Sequence, residues 1–396
     1  MRPLLLVLFL GACAPSTRPQ QLLYVWTGAA DSTAADFLAV FDVTERPDRY
    51  GEVLTTIPVP GRGNGPHHTE HEVAGDGRLF ANGFASGRTF IFDLTAPQAP
   101  RLAADLGDLG GFTHPHSYLS LPNGNRLVTF QMRHDAGRVR TGGLVEVSRD
   151  GAPIRASSAD YAGADSGLRV YSAVVVPSLD RVVTTSTDMM LDFPASRMVQ
   201  VWRLSDLTLL HTIPLPDGPA GDEGLLGAEP RLLADGKTVL VSTFNCGLFL
   251  LEGLSGEAPS ARLVASIPRP QRTSCAIPVV VGTLWLVAAP GGAVVSFDVS
   301  DPTAPREVGR LQLGPAEETH WIAVSPDHRR VVVTGNRGLE SRVVIARLDP
   351  ETGALAIDDR FKEPGATEPG FRMSGKAWPH GGNVRGLPHG AVFASR

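Results

Sequence analysis

The sequence predicts an all-β protein, a seven-bladed β-propeller closed across its N- and C-termini. Glycine (43) and proline (32) make up about a fifth of the 396 residues, against a usual share of roughly 12%. They are spread along the chain, which requires many tight turns between short strands. A unit of apolar strand, Gly/Asp/Asn turn and second apolar strand also recurs about every 45 to 57 residues, the period of four-stranded propeller blades. Third, the pairs Ala96-Pro97…Ala99-Pro100 and Asp301-Pro302…Ala304-Pro305 close the third strand of two separate units. A pair of β-sandwich domains is the alternative architecture.

From the N-terminus, Arg2 precedes the apolar run Leu4 to Leu10, too short for a hydrocarbon core of ~30 Å. Gly11 and Ala12 then lead into Cys13. The tetrad Leu10-Gly11-Ala12-Cys13 resembles a bacterial lipobox. Residues 1–12 are therefore expected to be a removed signal peptide, and 13–21 a lipidated cysteine and polar tether. A secretory signal with an incidental cysteine is the alternative. Ala14, where an aspartate would favour retention, points by analogy to an outer-membrane anchor facing the periplasm. Residues 22–396 are read as one propeller domain.

Within that domain the first turns of six units fall at 74–78, 121–125, 177–181, 234–237, 281–283 and 325–329. Each is followed by a β-rich run such as Leu284-Trp285-Leu286-Val287. The seventh unit is split. Leu23–Val25, Phe37–Phe41 and Val53–Ile57 supply three strands, and Gly390–Phe393 near the C-terminus supplies the inner one. With 42% hydrophobic and 19% charged residues the chain is globular. A net charge of -5 carries no basic footprint for nucleic acid. Cys246 and Cys275 remain after processing, and in an oxidising compartment they form either a disulfide or two buried thiols.

The eleven histidines are the most informative feature. Counting back seven or eight residues from each first turn reaches the start of an innermost strand, where side chains face the central channel. That position holds His68, His116, Tyr171, Cys275 and His320, with Glu229 and Arg231 in the fifth unit. The split blade begins with His380 or His389. Imidazoles converging at a channel mouth offer neutral nitrogen donors suited to copper, zinc or another nitrogen-preferring metal. The expected ligands are His67, His68, His116 and His380, with His114, His320 and His389 in reserve. Adjacent strand residues face opposite ways, so His67 and His68 share a metal only if the strand begins irregularly. His71, Glu70 and Glu72 are read as supporting or solvated groups, and His134, His211 and His328 as surface residues.

Three stretches carry a family resemblance. Ala35-Asp36-Phe37-Leu38-Ala39-Val40-Phe41-Asp42-Val43, followed by Pro58-Val59-Pro60 and His67-His68, resembles the selenium-binding protein / methanethiol oxidase family. Phe112-Thr113-His114-Pro115-His116-Ser117 is similar to that family's His-Thr-Ser-His segment, and Trp378-Pro379-His380-Gly381-Gly382 to its closing histidine. The resemblance implies a propeller, a histidine-held copper centre and oxidation of small sulfur compounds with dioxygen. One departure stands out: the family's reactive cysteine precedes the first stretch, where this chain has Leu23-Tyr24-Val25-Trp26-Thr27.

The function expected is a lipid-anchored copper oxidoreductase acting on a small thiol or sulfide, with no catalytic residue assigned. A non-catalytic scaffold for protein partners and a lactonase-type hydrolase using carboxylates such as Glu229 and Asp188 are the competing readings.

Overall fold

The second and third strands of each unit are largely buried because both of their faces are covered by neighbouring blades. Phe37–Asp42 and Leu284–Ala289 are buried throughout. Outermost strands such as Pro153–Ser158 and Arg306–Gln312 stand largely in solvent. Continuous apolar runs are what two-sided burial selects. The computed structural model describes residues 20–46, 49–161, 168–191, 194–270, 273–335 and 342–395. The signal segment 1–12, Cys13 and nearly all of the tether lie outside the described residues.

Among the described residues there are seven antiparallel sheets. Blade one is the split one: Gly386–Ser395 is its innermost strand and pairs with Gln21–Ala29, followed outward by Phe37–Asp42 and then Glu52–Pro58. Blades two to seven follow in chain order, with innermost strands Pro66–Thr69, Phe112–Ser120, Val170–Val176, Gly227–Leu232, Pro278–Val281 and Trp321–Val324. All six first turns connect the first two strands of their blades, as the turn residues predict. In blade four the turn is the short 3-10 helix Pro177–Leu179, ended by Asp180 at φ 55°. No helix among the described residues is long and apolar enough to cross a membrane.

The core is divided into seven apolar clusters, one between each pair of adjacent blades. Tyr24, Val40, Leu79 and Phe92 join blades one and two, whereas Val25, Phe41, Val332 and Ile345 join blades seven and one. The Gly/Pro-rich segment before the last strand is anchored, because Phe371, Met373 and Trp378 are buried in that closing cluster. Cys246 and Cys275 form a disulfide, Cα atoms 5.0 Å apart, that ties blade five to blade six.

A β-bulge recurs at the same place in five innermost strands. In blades two to five, three residues of the inner strand span two of its neighbour, between Pro66 and Thr69, Pro115 and Tyr118, Val170 and Ala173, and Gly227 and Pro230. Blade one has the same shift between Ala391 and Pro388. A bulge leaves a residue outside the ladder and re-aims its side chain. The displaced amides find side-chain acceptors on the second strand: His68 donates to Asn82 Oδ1 (2.6 Å), Ser117 to Thr129 Oγ1 (2.9 Å), Ser172 to Thr185 Oγ1 (3.3 Å) and Glu229 to Ser242 Oγ (3.4 Å). Three of these side chains also donate to the next blade, Asn82 to Pro115 O, Thr129 to Tyr171 O and Thr185 to Ala228 O.

Asn82 is fully buried, and Asn82→Ala strands the His68 N–H and the Pro115 carbonyl. Each such group costs about 1–3 kcal/mol. Urea denaturation of the variant is expected to show a loss of about 2–5 kcal/mol, larger than for exposed blade-edge substitutions.

Candidate metal centre

The bulges bring the histidines to the axis. Because the strand of blade two is irregular between Pro66 and Thr69, His67 and His68 escape strict alternation, and their rings lie 4.4 Å apart. The bulge of blade one contains His389 and Gly390. Gly390 is required there, since a Cβ would stand 2.8 Å from the Thr69 amide nitrogen of blade two. That close approach brings the His389 ring to 4.1 Å from His67 and 4.5 Å from His320. His320 immediately precedes the inner strand of blade seven. One ligand atom from each of His67, His68, His320 and His389 lies within 4.8 Å of every other.

His116 borders this cluster in the bulge of blade three, 4.1 Å from His68 and 4.9 Å from His67. Tyr171, in the same slot of blade four, packs on it at 3.8 Å. The Nε2 atoms of His68 and His116 are buried and lack a hydrogen-bond partner. Burial holds the His68 ring well below the usual imidazole range, aided by the neighbouring histidines, and lowers His116 to about 3. The rings are therefore neutral, the protonation state in which imidazole binds metal. Imidazole nitrogens converging there, with the Nε2 atoms of His68 and His116 unpaired, fit a copper- or zinc-type ion.

His380 is not part of this centre. It occupies a tight turn in which Gly381 N–H bonds Trp378 O (2.8 Å). The turn packs on the outer strand of blade one, where the ring meets Thr56 Oγ1 (2.7 Å) and Phe37 (4.8 Å). The chain must then run inward past Val384 before entering the innermost strand, so the inner position falls to His389. His114 also stands aside: its backbone is left-handed (φ 57°) and its Nδ1 lies 3.2 Å from Thr113 Oγ1. His134 and His328 are exposed and His211 lies on an outer strand. Glu70 is a buried structural group, held by Arg126 Nε (2.6 Å) across the blade interface.

On one side of the cluster a channel of about 1150 Å³ opens toward the first-hairpin turns. The second bulge residues of four blades, His68, Ser117, Ser172 and Glu229, all line it. Sequence register locates Glu229 in blade five, but the bulge that points it into the channel leaves no mark in residue spacing.

No protein-family model matches the chain. It is 25% identical to a methanethiol oxidase of a Hyphomicrobium species over 347 residues, 80% of this chain and 76% of the relative. A hypothetical selenium-binding protein from Sulfolobus tokodaii superposes with a TM-score of 0.75 at 18% identity, over 96% of this chain and 94% of the other. The periplasmic gluconolactonase of Pseudomonas aeruginosa shares the fold at a TM-score of 0.64 and 16% identity, over 95% and 99% of the two chains. Fold and site together define a seven-bladed propeller with a histidine cluster at its axis. Within that class, the chain is similar in sequence to a methanethiol oxidase and in fold to a selenium-binding protein.

If the cluster holds the metal, His68→Ala and His389→Ala should each lose stoichiometric metal by elemental analysis while keeping the wild-type circular dichroism spectrum. His380→Ala should retain it.

Proposed function

We propose that this protein is a copper-dependent oxidoreductase acting on a small thiol or sulfide with dioxygen, anchored by lipid to the outer membrane and facing the periplasm. The observation that carries the reading is the convergence of His67, His68, His320 and His389 on the channel axis of a methanethiol oxidase relative. These four imidazoles would hold the ion, with His116 bordering it. Copper bound there would supply one-electron redox chemistry.

The chain's own contribution is positional. Blade packing fixes the rings, and burial keeps those of His68 and His116 neutral. The channel gives a small molecule a route to the cluster from one face. Ser117 and Ser172 place hydroxyl groups along that route. An all-nitrogen donor set is poorly suited to the hard, oxygen-seeking cations of lactonase-type hydrolysis.

The strand in the family's cysteine position is filled by Tyr24 and Trp26, both fully buried, with Trp26 Nε1 donating to Asn82 O (2.7 Å). Turnover of methanethiol is accordingly expected to be weaker than in cysteine-containing relatives. Oxygen-electrode assays of copper-loaded protein against a series of small thiols and sulfides test this. Copper-dependent oxygen uptake that is lost in His68→Ala supports the reading, and uptake with none of the series overturns it.

The anchor rests on the Leu10-Gly11-Ala12-Cys13 tetrad. Cys13→Ser should release the protein from the membrane fraction and abolish the acyl mass increment. Retention of both would refute the lipid anchor.

A further inference from the structure

We propose that Glu229 is the positioning residue of the metal centre, its carboxylate facing His68 Nδ1 so that the proton sits there and Nε2 is directed at the ion. The inference rests on the metal-binding reading above and adds to it a group on blade five, which contributes no histidine.

Glu229 is 1% exposed, and a carboxylate so buried is costly unless firmly held. It is held on three sides. Its amide donates to Ser242 Oγ. Its Oε2 accepts from Ser172 Oγ of blade four and from Arg231 Nη1 (2.6 Å). Its Oε1 has no hydrogen-bond partner and lies 4.0 Å from His68 Nδ1. Arg231 is itself fixed, through Nε to Pro278 O of blade six (3.0 Å) and through Nη2 to His71 Nε2 (2.8 Å). Arginine only donates, so His71 Nε2 is the acceptor and its proton is on Nδ1. The His71 ring is stacked on Trp321 of blade seven at 4.3 Å and 6°.

One contact chain thus links blades two, four, five, six and seven and ends on the nitrogen of His68 opposite the orphaned Nε2. An imidazole that offers one lone pair to a metal carries its proton on the other nitrogen, and a carboxylate there fixes the tautomer and raises donor strength. The free carboxylate oxygen and the free Nε2 are the two ends of that arrangement.

The test is Zn²⁺ affinity by chelator competition, with Co²⁺ absorption as a readout of ligand geometry, on the folded full chain. Glu229→Gln should still take one equivalent of Zn²⁺, 10- to 100-fold more weakly, with a shifted Co²⁺ spectrum. Ser172→Ala, which removes one of the two side-chain donors to Oε2, should move both readouts in the same direction by less, and it carries the test should Glu229→Gln not fold. Wild-type affinity and spectrum in the folded variants would overturn the proposal. Complete loss of binding in folded Glu229→Gln would also overturn it, by making the carboxylate a ligand. Failure of the wild-type protein to take any metal would show in the first titration, identifying the metal reading itself as the one at fault.

Discussion

Everything at the axis depends on how five innermost strands dispose of a displaced backbone amide. A bulge aims side chains where a regular strand could not, but it leaves an N–H that burial does not forgive. Asn82, Thr129, Thr185 and Ser242 resolve this by accepting that N–H from the second strand. The first three then reach across to a carbonyl of the next blade. The same polar atoms therefore stabilise the irregularity and set the spacing between blades. Thr334 of blade seven does the equivalent for blade one, donating to the carbonyl of His389.

The two residues of each bulge divide the labour. In blades one to three the first is histidine (His389, His67, His116), and in blade four it is Tyr171. The second positions of blades two to five are polar and line the channel, whereas blade one has Gly390 because its strand runs so close to Thr69. Packing in the seven inter-blade clusters fixes the ring of blades and so holds the imidazoles together. The unpaired, buried Nε2 atoms of His68 and His116 are a cost accepted by the fold. Natural proteins concentrate such violations at functional sites.

The blades were legible in the sequence because their first turns carry Gly, Asp and Asn at steady intervals, and the chain between them is apolar on both faces. Register from those turns located His68 and His116 on innermost strands and His320 immediately before one. It favoured His380 over His389, and the structure reverses that order, since both lie in a Gly/Pro-rich segment where distance from the chain end does not reveal where the path turns inward. The bulges were visible only as the condition that His67 and His68 placed on blade two. Their repetition in blades three to five depends on ladder offsets, and these follow from Asn82, Thr129, Thr185 and Ser242, ordinary polar residues in strands whose partners lie far along the chain.

Closure across the termini sets the order in which the site can be built. The innermost strand of blade one is the last strand of the chain, and it brings His389 to histidines from blades two and seven. Synthesis runs from the N-terminus, so blades two to seven have all their strands before that one emerges. Until it docks, the ring has an open seam and the imidazole set lacks a member. A metal site built from these imidazoles would be complete only once the ring has closed, so truncated or half-assembled chains would lack it.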